Sequence, residues 1–373
     1  MTSYIKDPLA GWNNDDLMFS SETREFVASS FPRILPILDW PQLRAQFAIH
    51  DVAAGAARRH SRRSGIFAGL IGYASLLIAG FMPLLSVGRA KEDLAPAILG
   101  SIAALLAVSS AIWGYSQVLN GRRKSEWLAN RYLTERLRQL HFQFIINHLT
   151  LAVRVMIDPN VLGEWETSRA RVLSEFVHRF VRPVNASMRE MQVDDAEDDF
   201  WLIEDWNGRP PLPDNSPDLE ELFRVLSIQR FEIQRRFADL KTAPGLFSSK
   251  TRSQIAKWLS EVLTLLALAS VAVGGGLLVF GYSHNGWAVA ACSVFGAVCT
   301  ATIVFVRVLN EGLQLSSEAE RYTWYKAAVE GLAQRFSHSS TVERIDTLRE
   351  MERLSYQEMR WFMISFRGAR FIF

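Results

Sequence analysis

Val262–Val306 reads VLTLLALASVAVGGGLLVFGYSHNGWAVAACSVFGAVCTATIVFV. No Asp, Glu, Lys or Arg interrupts it, and a short break around Tyr282–Gly286 splits it into Val262–Ser283 and Asn285–Val306. Each part reaches the ~20 residues that a helix needs to cross ~30 Å of hydrocarbon. In that medium every backbone amide must be satisfied within its own segment, so both parts are expected to be helices. Two earlier charge-free runs, Gly65–Gly88 and Leu94–Gly121, make a second pair. One very apolar hairpin inside a soluble core would read the same way. Four runs in two close pairs disfavour that alternative. The fold class that follows is an all-α membrane protein with four transmembrane helices and a cytoplasmic helical bundle.

Outside these runs the chain is charged and soluble in character, although 49% of all residues are hydrophobic. Lys and Arg total 41 against 39 Asp and Glu, a balance without the basic surface that nucleic acid demands. The start of the chain mixes Asp15, Asp16, Glu22 and Arg24 with scattered apolar residues and shows no secretory signal pattern. Arg58, Arg59, Arg62 and Arg63 precede the first run; Arg122, Arg123 and Lys124 follow the second; Lys250, Arg252 and Lys257 lead into the third. The excess of Lys and Arg marks the cytoplasmic side, which predicts both termini and the middle of the chain facing inward at a cell membrane. Trp113, Tyr115, Tyr282 and Trp287 suit interfacial anchors.

The two halves repeat. Val118-Leu119-Asn120 followed by Arg131-Tyr132 returns as Val308-Leu309-Asn310 followed by Arg321-Tyr322 at the same spacing. Fixed-period self-similarity of this kind indicates duplication. Helical patterns continue over Glu126–Thr150 and Leu315–Phe336, each read as extending its span into the cytoplasm. Amphipathic stretches, Leu43–Arg63 and Leu219–Leu240, precede the two hairpins. The expected division is an N-terminal cytoplasmic segment, 1–42; a first two-span unit, 43–157, with spans about 65–88 and 94–121; a cytoplasmic helix and acidic, proline-rich linker, 158–218; and a second two-span unit, 219–373, with spans about 262–283 and 285–306.

This layout of helix, hairpin and long helix resembles the SLATT group of bacterial two-transmembrane effector domains, over about Leu43–Thr150 and Leu219–Phe373. The second unit has the closer look, with Arg230-Phe231-Glu232-Ile233-Gln234 before its hairpin and Glu318-Ala319-Glu320-Arg321-Tyr322 after it. The group has one hairpin where this chain has two in tandem, so a related four-span class of defence effector is an alternative. The resemblance implies a membrane-perturbing or pore-forming effector in anti-phage defence. It also implies a cytoplasmic sensor protein or nucleotide-signalling partner.

Little in the sequence points to catalysis. No glycine-rich phosphate loop ends in Lys-Ser/Thr, and no paired-histidine metal motif has an acid nearby. His141 and His148 read as ordinary helix residues rather than ligands. Cys292 and Cys299 lie seven apart within one run, on one helix face, as small packing residues. The acidic stretch Asp194–Asp199 and the nearby Glu204-Asp205 lack the ligand spacing of a calcium loop and read as a solvated linker or as a partner for the arginines nearby, and Gly208–Pro213 reads as a linker. No catalytic residue, cofactor or metal is expected.

The fourth run carries a polar stripe at alternating steps of three and four: Ser293, Gly296, Thr300, Ile303, Arg307 and Asn310. The repeat offset places Ser110, Trp113, Gln117 and Asn120 at equivalent positions in the second run. Polar groups exposed to lipid are unfavourable, so both stripes should face protein or water. Two readings stay open. Serine and threonine hydroxyls bonding to helix carbonyls would support close packing. Alternatively Ser110, Gln117, Asn120, Ser293, Thr300, Arg307 and Asn310 line a pore, which needs a homo-oligomer because four helices enclose little space. The functional expectation is an oligomeric membrane effector, pore- or channel-forming and gated from the cytoplasm. Its competitor is a non-conducting scaffold that recruits a cytoplasmic partner through the long helices.

Overall fold

A computed structural model describes residues 15–87, 94–115, 122–181, 200–203, 216–243, 245, 248–280 and 286–368. Among them every regular element is helical. Gln117, Asn120, Val118-Leu119, the Arg89–Asp93 loop, most of the break at Tyr282–Gly286, Asp194–Asp199, Glu204–Trp206 and the Gly208–Pro213 stretch lie outside the described residues.

In chain order the α-helices are α1 (Ser21–Ser30), α2 (Leu35–Leu38), α3 (Pro41–Ser86), α4 (Ala95–Trp113), α5 (Arg122–Asn147), α6 (Leu149–Ile157) and α7 (Leu162–Phe176). There follow α8 (Pro217–Ser227), α9 (Ile233–Thr242), α10 (Ser249–Val279), α11 (Gly286–Leu313), α12 (Leu315–His338) and α13 (Thr341–Gly368). Their starts carry the expected caps. Ser216 Oγ accepts from Leu219 N at 3.2 Å with Pro217 in the first turn, and Ser248 Oγ accepts from Thr251 N at 3.2 Å. Before α13, Ser340 N donates to Glu343 Oε2 at 2.8 Å, the reciprocal half of a capping box.

Four helices are long and apolar enough to cross a membrane: Pro41–Leu85, Ala95–Trp113, Ser249–Val279 and Gly286–Leu313. The shortest, α4 with 19 residues, is about 28 Å long at 1.5 Å per residue. The amphipathic stretch Leu43–Arg63 and the first apolar run form one unbroken helix, because nothing between His60 and Gly65 breaks a helix. The fourth span does not continue into the next helix. Gln314 interrupts it at φ 54, a left-handed conformation, and its side-chain amide donates to Glu311 O at 2.7 Å. The expectation of a continuous α11–α12 rod is corrected on that ground.

The chain separates into two compact units, each drawing on distant segments. One comprises the described parts of Met1–Gly55, Glu126–Ala243 and Ala319–Ile364. It is a helical bundle around the fully buried rings of Trp40, Phe142, Phe144, Trp165, Phe176, Phe223 and Phe231. Phe144 is the hub, its centroid 5.3 Å from Trp40 and 4.8 Å from Trp165.

The other unit comprises the described parts of Ala56–Ser125, Pro244–Glu318 and Ser365–Phe373. It holds the spans, and small residues set their contacts. Ser75 Oγ donates to Ala103 O at 2.8 Å and Ser110 Oγ to Ala68 O at 2.9 Å, joining α3 to α4. Ser270 Oγ donates to Cys292 O between α10 and α11. A Cβ built on Gly274 would lie 3.3 Å from Cys292 Cβ, and one on Gly80 would lie 3.0 Å from Ala297 Cβ, so glycine permits both approaches. Tyr73 links α3 to α11 by a 3.0 Å hydrogen bond to Thr302 Oγ1 and by stacking on Phe305 at 4.8 Å. Only 11% of the most apolar window is buried in α4 and in α10, so most of their surface faces outward.

Candidate functional site

The open face of α10 and α11 carries a long groove. One part, of about 710 Å³, lies between Thr264, Ser270, Gly274 and Gly275 on α10 and Ser293, Gly296, Thr300 and Ile303 on α11. A second part, of about 600 Å³, shares Thr264 and runs past Ser260, Glu261, Lys257 and Ser253 to Arg307, Asn310 and Ser316. Ser293, Thr300 and Arg307 of the polar stripe are exposed and border open space, whereas Gly296 of the same stripe is buried against Ser270 of α10. The stripe residues share one face of α11, because three- and four-residue steps keep side chains in register along a helix.

The hydroxyls are not left without partners. Ser293 donates to Val289 O at 3.0 Å, Thr300 to Gly296 O at 2.9 Å, Ser260 to Ala256 O at 2.8 Å and Thr264 to Ser260 O at 2.7 Å. Such bonds lower the cost of a hydroxyl in a low-dielectric medium while leaving its lone pairs available. Charge concentrates at one end, where Lys257, Glu261 and Arg307 are exposed and make no ion pair among the described residues. Asn310 lies beside them, its Nδ2 3.4 Å from Ser316 Oγ and its Oδ1 buried without a partner. Ser110 is placed differently. It is 6% exposed and turned onto α3, so the structure assigns it to helix contact.

The bundle holds a second polar centre that the sequence reading did not flag. Arg230, in the π-helical turn Ile228–Glu232 joining α8 to α9, is 1% exposed and lies 2.7 Å from Glu352 Oε1 of α13, itself 0% exposed. Its guanidinium also donates to Ser355 Oγ at 2.9 Å and covers the Phe142 ring at 4.2 Å. Alongside, Arg138 reaches Asp16 Oδ2 at 3.1 Å and Glu135 Oε2 at 2.7 Å. Gln234 donates to Asp16 Oδ2 at 3.2 Å and accepts from the Tyr325 hydroxyl at 3.2 Å. Asp16, Glu135, Arg138, Arg230, Gln234 and Tyr325 border a cavity of about 190 Å³, roomy enough for ordered water.

Burial dominates the protonation here. It pushes Glu352 up to about 7 despite Arg230, and it also raises Asp16 and Glu358 against their arginine neighbours. Glu135 goes the other way, because Arg131 and Arg138 together outweigh its burial. The same balance holds Arg138 above its ordinary value.

The repeated Arg-Tyr pairs both enter this bundle, in unlike settings. Arg131 pairs with Glu135 on its own helix and stays partly exposed. Arg321, 1% exposed, crosses to Glu358 at 2.9 Å and lies over the Tyr322 ring at 4.9 Å. Tyr132 lies under the guanidinium of Arg136, at 5.9 Å.

Two further buried arginines organise the chain around them. Arg136 donates to Gln139 Oε1 at 2.9 Å and to Phe200 O at 3.3 Å, and Leu202 N donates to Gln143 Oε1 at 3.0 Å. Together they pin residues 200–203 onto α5. Arg169 donates to Asp39 O at 2.7 Å and to Ile37 O, satisfying carbonyls at the end of α2. Burial lowers its pKa to about 9. His141 is buried with no hydrogen bond to either ring nitrogen; burial, then Arg169 and Arg230, hold it well below its usual value and so neutral. No group of His, Cys, Asp or Glu among the described residues has the makings of a metal site.

A signal for the second centre did exist. Ile345, Leu348, Glu352, Met359 and Met363 of α13 fall on one buried stripe, so the carboxylate occupies a core position. A charge at such a position demands a partner. No local pattern pairs Glu352 with Arg230, more than a hundred residues upstream.

Comparison with family models, curated proteins and solved structures yields no match to this chain.

Proposed function

We propose that this chain is an oligomeric membrane effector whose α10–α11 face lines a water-filled pathway across a bacterial cell membrane. The helical bundle and both ends of the chain face the cytoplasm, where the bundle responds to a signal or a protein partner. The single observation that carries this reading is the groove. It runs along two apolar spans, is bordered by hydroxyls and small residues, and ends in Lys257, Glu261 and Arg307. Lipid meets the aliphatic part of this lining without penalty but not its charged end, which water or another protein copy satisfies. Clusters of Lys and Arg beside the spans support the orientation. The SLATT-like layout is the sole support for a setting in bacterial defence, with a sensor protein or nucleotide signal upstream.

Arginine at a pathway mouth favours anions and retards cations. Purified protein in planar bilayers should conduct, and R307Q should move the reversal potential in a salt gradient toward cation selectivity. Unchanged reversal potential removes Arg307 from the pathway. Absence of conductance at any protein density overturns the channel reading. It would leave the scaffold reading, which the intrahelical hydroxyl bonds of Ser293 and Thr300 favour.

A further inference from the structure

A pathway lined by one face of two helices needs more than one copy, and the charges on that face indicate how copies meet. Glu261 of α10 and Arg307 of α11 open onto the same recess, both exposed, and neither forms an ion pair within the chain among the described residues. Ionised side chains at the edge of hydrocarbon are unfavourable unless paired or hydrated. In a cyclic assembly whose axis stands along the membrane normal, rotation moves every residue sideways and leaves its depth unchanged. A charge in one copy is therefore matched only by a group at its own depth in another. Glu261 in the first half of α10 and Arg307 near the end of α11 border one recess at the same end of this hairpin. An acid on one helix beside a base on the next is also self-complementary under two-fold rotation, which sets each acid opposite the other copy's base.

A second observation lies further along the same face. Gly275 is exposed and borders the groove, and a Cβ built there meets nothing within 4 Å. Among the described residues no contact requires glycine at this position, unlike Gly274 beside it, whose Cβ would lie 3.3 Å from Cys292 Cβ. A bare backbone on an outer face admits a close neighbour from another molecule.

We infer that a second copy of this chain docks on the α10–α11 face, with Glu261 of each copy against Arg307 of the other and Gly275 inside the contact. The inference rests on the proposed membrane assembly but not on conduction.

The test uses two differently tagged full-length chains, co-expressed and extracted in mild detergent, with co-purification as the readout. Wild-type chains should pull each other down. E261R leaves only bases on the recess, and R307E sets a second acid opposite Glu261 of the other copy, so each alone should self-associate about tenfold less, the scale of a repelling pair at a contact. E261R mixed with R307E should recover association, and so should the double variant E261R/R307E. G275L should weaken association while the separated monomer keeps wild-type helicity and melting. A wild-type chain that is monomeric overturns the inference. So do single variants that associate normally, a mixture that fails while the double variant recovers (a pair within one chain), or an inert G275L. A chain that passes these tests and does not conduct sinks the pathway reading and leaves the docking face intact.

Discussion

Glu352 and Arg230 are 0% and 1% exposed and face each other inside the bundle. Burial of such a pair costs more than the attraction returns unless further hydrogen bonds complete it. Here Ser355 and the Phe142 ring meet only part of the arginine, whose Nε is buried without a hydrogen bond, and Glu352 takes up a proton more readily than an ordinary glutamate, at about 7 against 4.5. The folded state therefore holds a proton that the unfolded chain releases on going from pH 4.5 to 7. Stability falls as pH rises through that window, by up to about 3 kcal/mol for a shift of this size. The raised Asp16 and Glu358 act with the same sign, and the lowered Glu135 acts against them. E352Q should remove most of the slope when bundle unfolding by denaturant is followed at pH 5 and pH 8. A slope as steep as wild type would assign the proton to another group.

At the scale of elements, hairpin contacts depend on where glycine touches a neighbour. A side chain at Gly80 would press on Ala297 from 3.0 Å, whereas Gly276 of α10 has open space within 4 Å. G80L should lower thermal stability in detergent by about 1–3 kcal/mol, the usual cost of overpacking. G276A should leave it unchanged or raise it slightly through better helix propensity. Equal effects of the two would mean that the α3–α11 approach is looser than described. The elements also differ in their breaks. Gln314 turns the chain out of α11 through a left-handed residue, and a π-turn at Ile228–Glu232 carries Arg230 toward Glu352. Irregular turns of this kind recur where a side chain must be aimed.

The whole molecule threads the same two units repeatedly. The bundle draws on the described parts of Met1–Gly55, Glu126–Ala243 and Ala319–Ile364, and the span unit on the described parts of the stretches between and after them. The proposed topology, in which the chain enters and leaves the bilayer by hairpins, places all bundle segments on one side. Protease-sensitive tags inserted after residue 181 and after residue 368 should both be cut in inverted vesicles and both be protected in intact cells. A tag in the 281–285 segment should behave in the opposite way. Any split between the first two tags contradicts the four-span topology.

Much of this architecture was legible from local composition. A run of about twenty uncharged residues has one low-energy conformation in hydrocarbon, so counting charges located α4, α10, α11 and the apolar half of α3. Helical periodicity likewise put Ser293, Thr300, Arg307 and Asn310 on one face. Tertiary structure alone decided that Ser110, the repeat-equivalent of Thr300, bonds Ala68 instead of bordering the groove. It alone brought Asp16, Arg138, Arg230 and Glu352 together from four separate segments. Hydropathy is a sum over neighbours in sequence, whereas the partner of a buried charge is chosen by packing between segments distant in sequence. That choice is written in no single stretch of the chain.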